Sequence, residues 1–319
     1  MKKKLSIIFT LISSAIFAIH IFNKIVSITS SLDNKLNTSK GSFYEWRFGR
    51  IFYTKQGSGS PILLVHDLDS CASAHEWIKI TNKLSKTNTV YTIDLLGCGR
   101  SDKPNITYTN FMFVQLISDF ISNIIKEKTD IITSSYSFPI ITMTTIYNKE
   151  LINKILVSNP IELSVLNKIP TKRHLIIKHI IKSPIIGTFF YNINNKKIDI
   201  KKKFYSTFYS NSDAVDSNDI NIYYESAHMN NSESKFLYAS IFSNYLNINI
   251  LHALQTMDNS IYIISSEDDF YLSIAQEYKK LIPSIEIAII KGTAKYPHLE
   301  NPKCFLEQIS IFFDEQLDT

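Results

Sequence analysis

From Tyr44 onward, short apolar runs alternate with longer segments whose apolar residues recur every three or four positions. The segment YEWRFGRIFYTKQG predicts two strands joined at a glycine turn. PILLVHD is a continuous apolar run of the kind buried on both faces of a parallel sheet, and a polar loop follows it. HEWIKITNKLSK has helical spacing, NTVYTIDLLG predicts a strand, and FVQLISDFISNIIKEK a helix with an apolar stripe. DIITSS then predicts a strand, PIITMTTIYNKE a helix and LINKILVSNP a strand. After Pro160 the alternation stops, and residues 161–255 carry helical stretches around a Lys- and Asn-rich middle with no clear strand. It resumes with SIYIISSEDD as strand and loop, LSIAQEYKKLI as helix and IEIAII as strand. NPKCFLEQISIFFDEQL closes the chain as a helix with Pro302 in its first turn. The pattern predicts an α/β fold with a mostly parallel sheet, flanked by helices and interrupted by one helical insertion.

The N-terminus follows another rule. MKKK precedes LSIIFTLISSAIFAIHIF, an uncharged and mostly apolar run long enough to span a bilayer and long for a signal-peptide core. Residues 1–23 therefore read as an uncleaved signal anchor, with a cleaved signal peptide as the alternative. The lysines would stay cytoplasmic, placing the body on the far side. Residues 24–42 are polar without periodicity and read as a tether, leaving 43–160 and 256–319 as the core and 161–255 as a cap.

Charge and cysteines exclude more than they suggest. Of the net charge of +5, four positive charges come from Lys2, Lys3, Lys4 and Lys24, and residues 1–30 contain no acid. The remainder, 30 basic against 29 acidic residues, is close to neutral, so no nucleic-acid partner is expected. Cys71, Cys98 and Cys304 are too few and too scattered for a disulfide framework or a zinc site, and no metal or other cofactor is expected.

The segment DLLGCGRSDKP, Asp94 to Pro104, with LLVHD before a loop and HLENP near the C-terminus, resembles the α/β-hydrolase family. The resemblance covers about residues 44–160 and 255–317, and the insertion at 161–255 sits where that family carries its helical cap. It implies a serine on a sharp strand-to-helix turn, usually Gly-x-Ser-x-Gly. None of the eight glycines lies in such a motif. The matching place is TSSYSFP, Thr133 to Pro139, where Ser137 is the preferred nucleophile, flanked by Ser135 and Pro139. A register two residues earlier makes Ser135 the nucleophile, flanked by Thr133 and Ser137.

The remaining site residues also come from the resemblance. It implies an oxyanion hole from the backbone N–H groups of Leu68 and Phe138. Where the family has His-Gly this chain has His66-Asp67, and His66 reads as a brace for the loop. The acid falls at Asp268, with Asp269 as second choice. The order serine, acid, histidine leaves His298 as base, yet counting back from Glu300-Asn301-Pro302 the family's histidine slot holds Lys295. A lysine could serve only if burial left it neutral.

Two functions follow. One is a membrane-anchored serine hydrolase acting on a small or lipidic ester or amide. The other is a catalytically degenerate relative that binds a ligand or partner through the same pocket, because positions 67, 135, 139 and 295 depart from the pattern together.

Overall fold

The computed structural model describes residues 2–36 and 40–314. Helix α1 (Lys2–Ser30) leads into β1 (Ser42–Trp46) and β2 (Gly49–Gln56), then β3 (Pro61–Val65), α2 (Ile78–Leu84), β4 (Thr89–Ile93) and α3 (Asn110–Phe120). β5 (Thr129–Ser135), α4 (Phe138–Tyr147) and β6 (Ile152–Pro160) follow. The insertion carries α5 (Leu163–Leu166), α6 (Lys172–Lys182), α7 (Ile186–Asn194), α8 (Lys197–Lys203), α9 (Ser217–Ser232), α10 (Lys235–Phe242) and α11 (Leu251–Thr256). The chain closes with β7 (Ile261–Ser266), α12 (Asp269–Leu281), β8 (Glu286–Ile290), α13 (Pro297–Glu300) and α14 (Pro302–Phe313).

The eight strands form one sheet in the order β1-β2-β4-β3-β5-β6-β7-β8. β1, β2 and β4 pair antiparallel, and every pairing from β4 to β8 is parallel. The apolar runs explain this: all five residues of β3 are buried, as a strand covered by helices on both faces must be. Successive side chains then alternate between two cores. Leu63, Val65 and Ile131 join one core, and Ile62, Leu64 and Ile132 the other. The expected α/β architecture with a helical insertion after β6 is the one observed.

The loop Asp94–Pro104 is a rigid corner beside the strand ends. Asp94 is buried, accepts from the Ala74 and Arg100 amides, and pairs with Arg100 Nε at 2.7 Å. Burial would raise its carboxyl, but the Arg100 guanidinium holds it below the usual range. Gly99, at φ +47°, passes so close that a Cβ would lie 2.4 Å from Asp94 Oδ2.

One boundary differs from expectation. α1 runs on past Asn23 through residues assigned to a tether and ends at Ser30. The first glycine is Gly41 and the first proline Pro61, so nothing in the covalent chain breaks the helix there. Tertiary contacts fix it in place. Asn23 Nδ2 donates to the Ile185 carbonyl at 3.0 Å, Asn23 Oδ1 accepts from Asn192 at 3.1 Å, and Phe22 packs edge-on against Phe189.

Candidate active site

The C-terminal ends of β3, β5, β6 and β7 converge on one rim, where open α/β sheets bind ligands. Here β5 gives way to α4 within two residues. Ser135 takes φ +37°, a left-handed conformation that a residue with a Cβ adopts only under constraint, at a cost of about 1–2 kcal/mol. The constraint is the turn closed by Ser137 N–H donating to Ser134 O at 3.0 Å, with the strand register shifting between Ser134 and Ser135. Ser135 is partly exposed, so the strained residue at the strand-to-helix turn is Ser135 rather than Ser137.

Ser137 does other work. Its backbone is right-handed helical (φ −83°), it is fully buried, and its Oγ donates to the His66 carbonyl at 2.6 Å. His66 is a brace, as expected. Leu95 N–H donates to its Nε2 at 3.0 Å, which puts the ring proton on Nδ1, 2.6 Å from Asp67 O. The buried imidazole thus ties the ends of β3 and β4 together, and the His66 carbonyl adds the end of β5 through Ser137.

With Ser135 at the turn, the amide that follows it is that of Tyr136. This N–H donates to Asp67 Oδ1 at 3.0 Å. The other Asp67 oxygen, Oδ2, lies 2.7 Å from Lys295 Nζ and accepts from Tyr296 Oη at 3.2 Å. Two positions singled out separately in the sequence therefore meet as one buried ion pair, with the Asp67 carboxylate seated on the turn amide. Asp67 and Tyr296 are almost wholly buried, and Lys295 is 19% exposed. Burial by itself pulls the Lys295 ammonium down, but the Asp67 carboxylate outweighs it and holds Lys295 above the ordinary lysine value. Lys295 is therefore charged here.

The loop that presents Lys295 is fixed from several sides. Asn159 Nδ2 donates to the carbonyls of Ala294 and Lys295, at 2.9 and 3.0 Å. Glu300 accepts from Ala294 N–H at 2.8 Å. Over the site the insertion supplies Phe208 and Tyr223, and Phe208 packs on Tyr296 with ring centroids 4.8 Å apart. A second ion pair, Lys203 to Asp69 at 3.8 Å, joins the insertion to the loop after β3.

The other expected site residues lie elsewhere. His298 is fully buried, tilted by 32° against Trp77 at 4.2 Å between ring centroids, with Nδ1 3.2 Å from Ser158 Oγ and Nε2 3.3 Å from Glu76 Oε1. Ser158 and Ser134 share strand parity with Leu156 and Ile132, so this cluster lies toward the α2 and α14 core. Asp268 is exposed and accepts from Phe270 N–H as the N-cap of α12, and Asp269 is exposed in the first turn. The arrangement Ser137–His298–Asp268 drawn from the sequence is thus not brought together. The reason is physical: each of the three already spends its polar atoms on a cap, a brace or a buried network. Of the expected oxyanion donors, Leu68 lies in the loop beside Asp67 and Phe138 opens α4.

Sequence reasoning missed Glu76. It is fully buried, accepts from Asp67 N–H at 2.9 Å and Ser134 Oγ at 2.5 Å, and faces His298. Burial would raise its carboxyl, but His298, His66 and the Ser134 hydroxyl hold it below the usual range. A lone Glu in a helical segment gave no signal. The Asp67–Lys295 pair did give one, because the two departures carry opposite charges.

The chain matches no protein-family sequence model. It is 31% identical over 70 residues to 2-hydroxy-6-oxo-6-(2'-aminophenyl)hexa-2,4-dienoic acid hydrolase of Metapseudomonas resinovorans, a match spanning 22% of this chain and about a quarter (24%) of that enzyme. Among solved structures it resembles the serine hydrolase of carbazole degradation, with TM-score 0.70 and 17% identity over 86% of this chain and 98% of the other. A membrane phospholipase A described as a bacterial virulence factor gives TM-score 0.65 and 15% identity over 98% of both chains. That coverage takes in most of α1.

Proposed function

From the α/β-hydrolase fold of this chain, we propose a membrane-tethered serine hydrolase that acts on an ester or amide, with Ser135 as nucleophile and a resting state closed by Asp67. The observation that carries this reading is the left-handed Ser135 at the end of the central strand. In the proposed reaction Asp67 withdraws from the Tyr136 amide, which frees an oxyanion site between the N–H groups of Tyr136 and Leu68. Its departure also removes the anion that keeps Lys295 charged, so burial lowers the lysine and its ammonium releases a proton to solvent, leaving the neutral amine a base requires. Ser135 Oγ then bonds the substrate carbonyl carbon and passes its proton to Lys295. The ammonium protonates the leaving group, and water releases the acyl group by the reverse proton path. His298, Ser137 and Asp268 stay structural in this scheme.

The tether is α1, long and apolar enough to cross a membrane, with a mean hydropathy of 2.2 in its most apolar window and none of that window buried. The likeness to a membrane phospholipase along nearly the whole chain supports an amphiphilic ester as substrate.

A second reading is favoured by the seat of Asp67 itself: a site closed for good, retained for binding a ligand or partner. Hydrolysis of short-chain p-nitrophenyl esters separates the two. Asp67→Gly should hydrolyse them faster than wild type, and Asp67→Gly/Ser135→Ala should not. Equal rates for those two variants would leave the binding reading.

A further inference from the structure

The junction between α1 and the cap fixes where the membrane surface lies. This step rests on α1 spanning a bilayer. Leu5 to Phe22 is the exposed apolar length of α1, roughly 27 Å at 1.5 Å per residue, so all of it is needed to cross a hydrocarbon core of about 30 Å. Phe22 and Asn23 therefore sit at the headgroups, and so do their partners on the cap, Ile185 and Phe189. Helices α6 and α7 meet at this point.

Their outward surface suits that position. Leu175, Ile176 and Ile180 of α6 are 42%, 61% and 46% exposed, and Ile186 and Phe190 of α7 are 47% each. On α6 these aliphatics share the exposed face with Lys172, Arg173 and His179. Residues 163–198 hold seven lysines and arginines and no acid. Aliphatic side chains exposed among basic ones, with no acid in the segment itself, are the pattern of a helix lying in a membrane interface. The positive charge selects an anionic leaflet.

We propose that the α6–α7 face of the cap rests on the surface of the anionic phospholipid bilayer that α1 spans. Two attachments, a spanning helix and an adsorbed cap, then set the orientation of the body against the lipid.

The test uses the full chain in nanodiscs of phosphatidylglycerol and phosphatidylcholine, or of phosphatidylcholine alone. Cys304→Ser removes the half-exposed native thiol, and Cys71 and Cys98 are buried. Nitroxides are placed by Phe9→Cys in the span, Ile176→Cys and Phe190→Cys on the face, and Ile311→Cys on exposed α14. Accessibility to oxygen and to an aqueous nickel chelate is then read at each. The expected result with phosphatidylglycerol is oxygen-rich, nickel-shielded labels at positions 9, 176 and 190 and a water-exposed label at 311. Lys172→Glu/Arg173→Glu should lose the shielding at 176 and 190 and keep it at 9. Nickel accessibility at 176 and 190 equal to that at 311, with 9 in lipid, overturns the docking and leaves the anchor standing. A water-exposed label at 9 overturns both.

Discussion

Asp67→Ala should be among the most destabilising single substitutions in the rim, and its magnitude follows from the environment of Lys295. Removing Asp67 leaves a lysine ammonium among Phe208, Tyr296 and the loop after β3, with its counter-ion gone. Breaking a buried pair from one side costs about 3–5 kcal/mol. Lys295 keeps 19% exposure, so water partly relieves it and the lower end, about 3 kcal/mol, is expected. Lys295→Met should cost a similar amount by stranding Asp67, which would still hold the Tyr136 amide and Tyr296 hydroxyl. The double variant should recover about 2 kcal/mol relative to the sum of the singles. Urea unfolding of the detergent-solubilised chain, followed by the fluorescence of buried Trp77, measures all three.

The pH dependence gives an independent sign. In wild type the folded value of Lys295 lies above the unfolded one, so its stabilisation is full below about pH 10.5 and falls only above that. Without Asp67, burial is opposed only by the more distant Asp69 and Tyr271, and the folded value should fall below the unfolded one. The unfolded chain then binds more protons across that window, and the stability of Asp67→Ala should rise with pH where wild type is flat. Additive single losses, each under about 1 kcal/mol, with parallel pH curves, would refute the buried-pair account.

His228 is buried against Tyr224 and Tyr191, and burial lowers it from 6.5 to about 4. Its contribution is full above pH 6.5 and lost as pH falls toward 4, about 3 kcal/mol in all, so urea midpoints should drop over that window and His228→Gln should flatten the drop. Ser137→Ala should cost about 1 kcal/mol in thermal unfolding by removing the bond to His66 O, yet leave ester hydrolysis by Asp67→Gly intact. Glu76→Leu should cost about 2–3 kcal/mol in the same measurement, because Asp67 N–H and Ser134 Oγ lose their acceptor.

The architecture was legible because the sheet's strands are apolar runs of the right length. PILLV is buried throughout, and the break in alternation after Pro160 coincides with the end of β6. The length of α1 was not legible, because residues 24–30 are helical through contacts with the cap that no local pattern announces. The strained strand-to-helix turn lies within two residues of the serine preferred from the sequence. Spacing alone could not choose between Ser135 and Ser137, since the choice depends on a hydroxyl reaching the His66 carbonyl from a distant strand. His298 fitted the order of a triad, but its ring is spent against Trp77 and Glu76, a contact visible only in three dimensions. Asp67 and Lys295 each depart from the pattern of the resemblance, and their complementary charges make sense of them together.

Fluorophosphonate labelling, with the modified peptide identified by mass spectrometry, tests the central claim most directly. Wild type should label slowly, Asp67→Gly should label quickly on Ser135, and Asp67→Gly/Ser135→Ala should not label at all. An Asp67→Gly protein that stays unlabelled, or carries the label on Ser137, would contradict a hydrolase site held shut by Asp67.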